Sequence, residues 1–315
     1  MPTVFTMGEA LIDFIPHQAG VGLREVEGFR KAAGGAPANV ACAVSRLGGK
    51  SAFIGKLGAD AFGDFLIETM QTAGVDTSRV LQTNEANTAL AFVSLKADGN
   101  RDFSFYRNPS ADMLLNENEI RPWFREQDIL HFCSVDLIEA PVKYAHLKAI
   151  FLAKEAGALI SFDPNVRLPL WDNAEHCRQT ILEVLPLAHI VKVSDEELGF
   201  ITGLQDEREA IDSLFAGDVQ HVIYTRGAQG AIWYNRNFEV SEPGLQVNVI
   251  DTTGAGDAFI GALLYQISQM HERNIIINSA VASEMLAFAN KAAAITTTRP
   301  GAIPALPTRS EVESA

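Results

Sequence analysis

The sequence has few cysteines and no regular spacing of metal-binding side chains. Its three cysteines, Cys42, Cys133 and Cys177, are far apart and include no CxxC pair. An odd number of widely spaced thiols is typical of a reducing compartment, so we expect a cytoplasmic protein whose cysteines only fill space. The seven histidines show no HxxxH or HxH spacing, which argues against a transition-metal enzyme.

Basic residues are also scarce. The 315 residues include 25 Lys and Arg against 39 Asp and Glu, which gives a formal net charge of −14. Nucleic acids and anionic membranes attract clustered cations, so neither is an expected partner. No uncharged apolar run approaches the roughly 20 residues that cross a bilayer. The segment Met1–Pro16 carries two acids and lacks the basic region of a signal peptide.

Two common nucleotide-binding fingerprints are missing. The first predicted strand is followed by Gly8–Leu11, which does not contain GxGxxG. Gly48–Ser51 reads like the end of a Walker A loop, but Val44 occupies the position where that loop needs its first glycine. Any nucleotide is therefore bound in another way.

Apolar segments with strand-like and helix-like periodicity alternate along the chain. This alternation predicts βαβ units in a mostly parallel sheet, and a single domain over residues 1–315 because no linker or internal repeat interrupts it. Gly48, Gly74 and Gly157 follow predicted helices and support their ends. The predicted elements are Val4–Met7, Pro37–Leu47, Ser51–Ile54, Asp64–Ala73, Ile129–Phe132, Val142–Ala156, Ala158–Phe162, Ile190–Val193 and His221–Tyr224.

One pair of segments departs from this alternation. Ala89–Leu95 and Arg101–Arg107 flank the turn-forming Ala97–Asn100 and predict a β-hairpin. Its apolar face would cover a substrate pocket, a second subunit or both, unless the hairpin is a plain antiparallel edge of the main sheet. Leu11–Ala33 is expected to supply partner strands. The residues of the apolar face are Val93, Leu95, Phe103 and Phe105.

The segment Asp251–Phe259 places an acid after a turn of small residues and at the start of an apolar helix. The small residues leave the first helical amides open, so N–H groups and the positive end of the helix dipole can face an anion. Asp257 then lies where a base could take a proton, although an Asp at this place also caps ordinary helices. The small residues are Gly254, Ala255 and Gly256, and the preceding Val247, Val249 and Ile250 predict the end of a strand.

Three distant segments, taken together and in order, resemble the ribokinase-like (PfkB) family of sugar kinases. They are Gly34–Asn39, Asp251–Asp257 and Phe288–Pro304. The resemblance runs from about Val4 to Pro307 and is strongest to bacterial fructokinases. Agreement of several separated motifs is far more specific than any single short motif.

The resemblance implies a ribokinase-like three-layer α/β/α fold with a mostly parallel central sheet. A small β-lid would be formed by about residues 10–34 and 88–109. It also implies ATP-dependent phosphorylation of a sugar, with Asp257 as the base and the amides of Gly254 to Asp257 as the anion hole. Such a reaction needs a base beside the hydroxyl and positive dipoles beside the phosphate.

The resemblance also assigns the nucleotide side of the site. Magnesium is expected with ATP. In the family an Asn-x-x-Glu motif reaches the metal through water, and here Ser194 replaces the Asn while Glu197 matches the acid, after Lys192. Further matches, at the nucleotide loop and the adenine-side helix, are Thr225, Gly227, Gly230 and Asn290.

Several positions match a monovalent-cation site that relatives place behind the anion hole. Hard oxygen ligands suit K⁺, and a cation there would strengthen the field of the anion hole. The matching residues are Asp251, Thr253, Thr296, Arg299, Gly301 and Ala305.

The family pattern places the sugar against Gly34, Gly35 and Asn39. Asp13 matches the sugar-binding acid of the family, and a carboxylate accepts hydrogen bonds from vicinal hydroxyls. Three more residues of the fructokinase pattern are Arg107, Asn165 and Arg167. The alternatives are that Arg107 is a surface residue at the hairpin end and that Arg167 pairs with Asp163 in its loop.

The resemblance favours fructose as the substrate and fructose 6-phosphate as the product. Two arginines also suit a carboxylate or phosphate, as in relatives that act on 2-keto-3-deoxygluconate. Kinases of aminoimidazole riboside or ribose remain alternatives, and so does a non-catalytic regulator that binds sugar or nucleotide, against which the intact Asp257 argues. A homodimer is expected from the apolar hairpin face.

Overall fold

The computed structural model of the protein describes residues 2–18, 20–95, 101–273 and 277–315, and the strands and helices alternate along most of the chain. The strands are β1 Thr3–Met7, β2 Leu11–Pro16, β3 Phe29–Gly34, β4 Lys50–Gly58, β5 Asp76–Thr83, β6 Leu90–Leu95, β7 Arg101–Tyr106, β8 Ile129–Cys133, β9 Leu159–Asp163, β10 Ile190–Ser194, β11 His221–Thr225, β12 Ala231–Asn235 and β13 Phe238–Glu242. The helices are α1 Ala36–Arg46, α2 Ala61–Thr72, α3 Pro141–Glu155, α4 Ala174–Val184, α5 Asp195–Thr202, α6 Glu207–Ser213, α7 Ala255–Arg273, α8 Ser279–Thr297 and α9 Arg309–Ser314.

The main sheet has nine strands in the order β13-β12-β11-β10-β9-β8-β1-β4-β5. Neighbouring strands from β11 to β5 run parallel, and β12 and β13 add an antiparallel edge. After β1 the chain builds outward through β4 and β5, and later through β8 to β11 on the other side of β1. The direction of winding therefore reverses between β1 and β8, where ligands bind in open α/β sheets, at the carboxyl ends of the strands.

Helices cover both faces of this sheet. On one face α3, α4, α5 and α6 pack around Phe132, Phe162 and Ile181. On the other face α1, α7 and α8 pack around Trp233, Phe259 and Leu286. The chain thus has the expected three-layer α/β/α architecture with a mostly parallel central sheet.

A second sheet is built from four strands in the order β3-β2-β6-β7. The predicted hairpin is confirmed as β6 and β7, and the segment 11–33 supplies β2 and β3. The hairpin is therefore not an edge of the main sheet. Ala91 and Val93 are buried and Phe105 packs beside Ala91, whereas the predicted turn at 97–100 and the side chains of Leu95 and Phe103 lie outside the described residues.

Most local predictions hold within a few residues. Gly48, Gly74 and Gly157 each follow a helix with φ of +92°, +94° and +76°, the left-handed turn that glycine adopts at low cost. The predicted strand end at Val247–Ile250 is wrong, because no strand lies between β13 and α7. Val249 and Ile250 are 59% and 67% exposed, so their apolar alternation does not reflect pairing with a sheet.

The three cysteines are buried and none forms a disulfide. Burial raises the pKa of the Cys42 thiol to about 12, so this thiol stays protonated and unreactive. Among the described residues no helix has the length and hydrophobicity of a membrane-spanning segment.

Candidate active site

The candidate site lies at the carboxyl ends of the parallel strands. Glu9 follows β1, Asp136 follows β8, and Asp163 and Ser194 end β9 and β10. The first turn of α7, with Asp257, faces the same edge, because Asp257 contacts Asn39 of α1. The site is therefore assembled from segments that are far apart in the sequence.

Asp257 lies in the first turn of α7, directly after the glycine turn. Gly254 has φ of +77°, and a Cβ there would lie 2.9 Å from the Ala302 side chain, so a larger residue would both strain and crowd the turn. The side-chain amide of Asn39 donates to Oδ2 of Asp257 at 2.7 Å. The two residues are 218 positions apart, and their contact joins the two predicted motifs directly.

The electrostatic surroundings of Asp257 favour a base. Burial raises the pKa of its carboxyl group, and the hydrogen bond from Asn39 and the charges of Arg167 and Lys192 act in the opposite direction. A carboxylate with a raised pKa accepts a proton more readily than an exposed one.

Lys192 is a buried cation close to Gly256 of the glycine turn. Its Nζ lies 2.9 Å from Oδ2 of Asp163 and 3.6 Å from the point where a Cβ on Gly256 would lie. Attraction to Asp163 raises the pKa of Lys192 against the effect of burial, so the ammonium group stays charged. Asp163 is thus the partner of Lys192, and the alternative of an Arg167–Asp163 pair is wrong.

Ser194 and Glu197 form the capping box of α5. Oε2 of Glu197 accepts hydrogen bonds from the Ser194 amide at 3.0 Å and the Ser194 hydroxyl at 2.9 Å. Oε1 accepts from the Val166 amide at 2.7 Å. Burial acts to raise the pKa of Glu197, but Lys192 and these hydrogen bonds hold it below its usual value. Ser194, which replaces the family Asn, therefore fixes the acid and the loop before Arg167.

The loop after β9 brings two predicted residues to the site. Asn165 has φ of +46°, an unusual conformation for a residue other than glycine that recurs at functional sites. Arg167 is exposed, its Nη1 donates to the carbonyl of Val166, and its charge lowers the pKa of Asp257. Arg167 is therefore near enough for its charge to act on the Asp257 carboxyl group.

The Gly34–Gly35 pair lies against β2. A Cβ on Gly34 would lie 2.1 Å from Oδ2 of Asp13, and a Cβ on Gly35 would lie 2.4 Å from the carbonyl oxygen of Glu9. Gly35 also has φ of +101°. Position 35 therefore requires glycine, whereas the atoms close to Gly34 belong to side chains. The pair brings Asp13 and the start of α1 together.

Arg107 is buried and already paired, so the structure does not place it on the surface at the hairpin end. Its Nε donates to Oδ2 of Asp112 at 3.0 Å and its Nη2 donates to Oδ1 of Asp136 at 2.5 Å. The Arg107 charge also acts on buried Glu9, whose pKa burial raises to about 7. Sequence reasoning assigned no site role to Glu9, Asp112 or Asp136. The signal available was that Glu9 and Asp136 come shortly after the predicted strands Val4–Met7 and Ile129–Phe132.

Asp251 links two loops behind the glycine turn. Its Oδ1 accepts from the amide and hydroxyl of Thr253 at 2.9 and 2.6 Å, and its Oδ2 accepts from the Gly301 amide at 2.9 Å. The carbonyl of Thr297 accepts from the amides of Ile250 and Asp251. The predicted cation residues Asp251, Thr253 and Gly301 are therefore adjacent.

The side chains at the other predicted cation positions are bonded or packed within the protein. The Thr296 hydroxyl donates to the Ala292 carbonyl, Arg299 pairs with Glu311, and Ala305 is buried. An ion at these three positions would therefore be bound by backbone carbonyl oxygens and not by side chains.

The predicted nucleotide loop follows β11. Gly227 and Gly230 have φ of +52° and +90°, and the Thr225 hydroxyl lies 3.4 Å from the carbonyl of Val193. The Asn290 amide donates to the carbonyls of Glu242 and Pro243, each at 3.1 Å. Asn290 therefore fixes the segment after β13 in this structure and does not present a free amide.

A separate cavity of about 380 Å³ lies at the opposite, amino-terminal edge of the main sheet. The Arg79 side chain in its wall pairs with Asp76 at 2.5 Å and lies 5.1 Å from the Phe5 ring. Its charge is thus compensated within the chain, and the cavity is remote from Asp257.

Comparisons with known proteins agree with this geometry. Residues 1–309 match the pfkB family carbohydrate kinase. The chain is 49% identical over 310 residues to fructokinase-2 of Solanum lycopersicum, covering 98% of this chain and 94% of that protein. It superposes with a TM-score of 0.89 and 38% identity on the fructokinase of Xylella fastidiosa with bound ATP, covering 99% and 97% of the two chains. It also superposes on a double mutant of the Vibrio cholerae O395 fructokinase with bound fructose, ADP and potassium. The TM-score is 0.88 and the sequence identity 36%, and the match covers 100% of this chain and 98% of that chain.

Proposed function

Because the chain belongs to the pfkB family of carbohydrate kinases, we propose that it transfers the γ-phosphoryl group of ATP to fructose and releases fructose 6-phosphate and ADP. Full-length identity of 49% to a plant fructokinase supports fructose as the sugar. The structures of fructokinases with bound ATP, and with bound fructose and ADP, support the same pair of substrates.

The contact between Asn39 and Asp257 is the observation that carries the proposal. It holds a carboxylate of raised pKa next to the first amides of α7, which can face the phosphoryl group. In the proposed step the 6-hydroxyl loses its proton to Asp257 as its oxygen bonds to the γ-phosphorus. The bond from that phosphorus to the bridging oxygen of ADP breaks, and ADP leaves with the electron pair.

Lys192 and the amides around Gly254 to Asp257 are proposed to stabilise charge on the moving phosphoryl group. Each well-aimed donor of this kind is typically worth about 3–4 kcal/mol in the transition state. Mg²⁺, brought by ATP, would neutralise part of the polyphosphate charge. Glu197 is the protein acid that fits it, since a carboxylate accepting three hydrogen bonds can still face a hydrated ion. Among the described residues no cluster of three His, Cys, Asp or Glu side chains forms a protein-only metal site.

We assign K⁺ to the loops joined by Asp251. The carboxylate and the backbone at Thr253 and Gly301 offer the hard oxygen ligands that such an ion prefers. A cation there would add positive charge behind the amides of α7. The bound potassium in the Vibrio cholerae enzyme supports the choice of ion.

The second sheet is proposed to act as a lid over the sugar. Asp13, Gly34 and Gly35 lie on it or at its end, and the charge of Arg167 acts on Asp257. Tyr106 on β7 is 63% exposed beside Phe92, which supports a homodimer formed through this sheet. The three unpaired buried thiols support a cytoplasmic location.

The proposal is tested by measuring ADP release from MgATP with fructose, ribose, 2-keto-3-deoxygluconate and aminoimidazole riboside. We expect turnover with fructose and fructose 6-phosphate as its product. Asp257→Asn should lower kcat by at least about 10²-fold, because a positioned base contributes about 10²–10⁴-fold. Turnover only on another sugar would overturn the substrate, and full activity of Asp257→Asn would overturn the role of the base.

A further inference from the structure

Glu9 is a buried acid that connects the second sheet to the start of α1. It lies between β1 and β2, is 3% exposed, and its Oε1 accepts a hydrogen bond from the Ala36 amide at 3.1 Å. Ala36 is the first residue of α1. An N–H at this position has no partner inside the helix, so a side-chain acceptor fixes the helix start.

The first turn of α1 carries the residue that holds Asp257. The backbone N–H of Asn39 donates a hydrogen bond to the carbonyl of Gly35 at 2.9 Å, and the side-chain amide of Asn39 donates one to Asp257. Displacement of the Gly35–Ala36 peptide would therefore move Asn39 relative to Asp257. The backbone of Glu9 also packs closely against Gly35, since a Cβ on Gly35 would lie 2.4 Å from the carbonyl oxygen of Glu9.

The Glu9 side chain is itself held in place by charge. Arg107, which is paired with Asp112 and Asp136, attracts the Glu9 carboxylate. No hydrogen-bond partner of Oε2 lies among the described residues, so the position of Glu9 depends on the Ala36 amide and on this cluster.

We propose that Glu9 is a positioning residue for phosphoryl transfer, which sets the start of α1 so that Asn39 holds Asp257 in its reactive orientation. This inference rests on the proposed function in that it takes Asp257 as the base. It gives a role to a side chain that acts on Asp257 through Ala36 and Asn39.

The test compares Glu9→Ala, Glu9→Gln, Asn39→Ala and the double variant Glu9→Ala/Asn39→Ala, with rates expressed per folded enzyme. Glu9→Ala should lower kcat by about 10- to 100-fold, since small misplacements of catalytic groups have effects of this size. KM for ATP should stay within about twofold. Glu9→Gln keeps the acceptor for the Ala36 amide and should retain kcat within about threefold, and the double variant should be no slower than Asn39→Ala alone.

Asp128→Ala is the matched control. Asp128 is 5% exposed and accepts from the amides of Thr3 and Arg125 at the opposite edge of the sheet. Its loss should lower stability and leave kcat unchanged. Unchanged kcat in Glu9→Ala, or a double variant whose loss equals the product of the single losses, would overturn the inference.

A measurement that does not use activity separates this inference from the proposed function. The side-chain NH₂ resonance of Asn39, followed by ¹⁵N NMR, should shift in Glu9→Ala and stay in place in Glu9→Gln and Asp128→Ala. An unshifted resonance in Glu9→Ala would overturn the positioning role even in an active kinase. A wild-type chain without sugar kinase activity would instead contradict the proposed function, whatever the Asn39 resonance shows.

Discussion

Nζ of Lys192 lies 2.9 Å from Oδ2 and 3.1 Å from Oδ1 of Asp163, so the carboxylate holds the ammonium group with both oxygens. Lys192 is 7% and Asp163 2% exposed. A buried pair of this kind adds little stability compared with apolar residues, but loss of one partner leaves the other charge uncompensated. The pair therefore keeps a charged ammonium group buried near Gly256, where the anion hole is proposed.

Replacing Lys192 with Met should separate stability from catalysis. We expect the free energy of unfolding to fall by about 3–5 kcal/mol at neutral pH, because Asp163 is left buried without a partner. The loss should shrink near pH 5, since burial already raises the pKa of Asp163 to about 6 and the acid can take up a proton. Lys192→Met/Asp163→Asn should recover most of the stability and none of the kcat, as urea unfolding and ADP release would show. Recovered activity in the double variant would contradict a role for Lys192 in phosphoryl transfer.

Removal of Arg167 should change the pH dependence of turnover. Arg167 lowers the pKa of Asp257, so Arg167→Ala should raise that pKa and move the acidic limb of the kcat/KM profile to higher pH. Arg208→Ala removes a surface cation whose partners are Asp212 and Glu239 and should leave the profile in place. Identical profiles in all three proteins would show that Arg167 does not act on the base.

The buried Glu9 should make stability fall as pH rises. Its pKa is about 7 in the folded protein against an ordinary 4.5, so between these values the folded state binds more protons than the unfolded state. The contribution is fully present below about pH 4.5 and is lost as pH rises through about 7, with an upper size of about 3 kcal/mol. Urea unfolding at pH 5 and pH 8 should show this difference, and Glu9→Gln should reduce it. Equal pH dependence in both proteins would assign the effect to other groups of the cluster, such as Asp136.

Gly35 and Gly48 offer a matched comparison of strain and crowding. Both have a left-handed φ, of +101° and +92°, but a Cβ on Gly48 meets nothing within 4 Å while one on Gly35 would lie 2.4 Å from a backbone oxygen. Gly48→Ala should cost about 1–2 kcal/mol of stability and leave kcat intact. Gly35→Ala should cost more and lower kcat/KM for the sugar by more than about 10²-fold, because the start of α1 must move. Similar effects at the two positions would argue against the close approach.

Much of the fold follows from local patterns in the sequence. Apolar periodicity located β1, β8, β10 and β11, and glycine positions located the ends of α1, α2 and α3. The apolar pattern before Asp251 gave a wrong strand prediction, because Val249 and Ile250 pair with no strand and are exposed to solvent. Periodicity reports where apolar side chains recur, and it does not report whether a neighbouring strand exists.

The turn and helix start at Gly254 to Asp257 were predictable, because small residues and an acid share one short segment there. The contact of Asn39 with Asp257 agrees with the motif order, and the site roles of the individual residues stay predictions. The pairing of Arg107 with Asp136 could not be foreseen, because the two residues are 29 positions apart and their contact depends on how their segments pack. An arginine next to a pocket looks the same in sequence whether it meets ligand or protein.

The dispersal of the candidate site from Glu9 to Asp257 has a consequence for protein synthesis. A nascent chain that has left the ribosome only as far as β11 already contains the second sheet, the Gly34–Gly35 turn and Lys192, but not the first turn of α7. Such a chain lacks both the proposed base and the amides proposed to face the phosphoryl group. Incomplete chains and carboxyl-terminal truncations before residue 257 should therefore be unable to consume ATP, whatever part of the sheet they have folded.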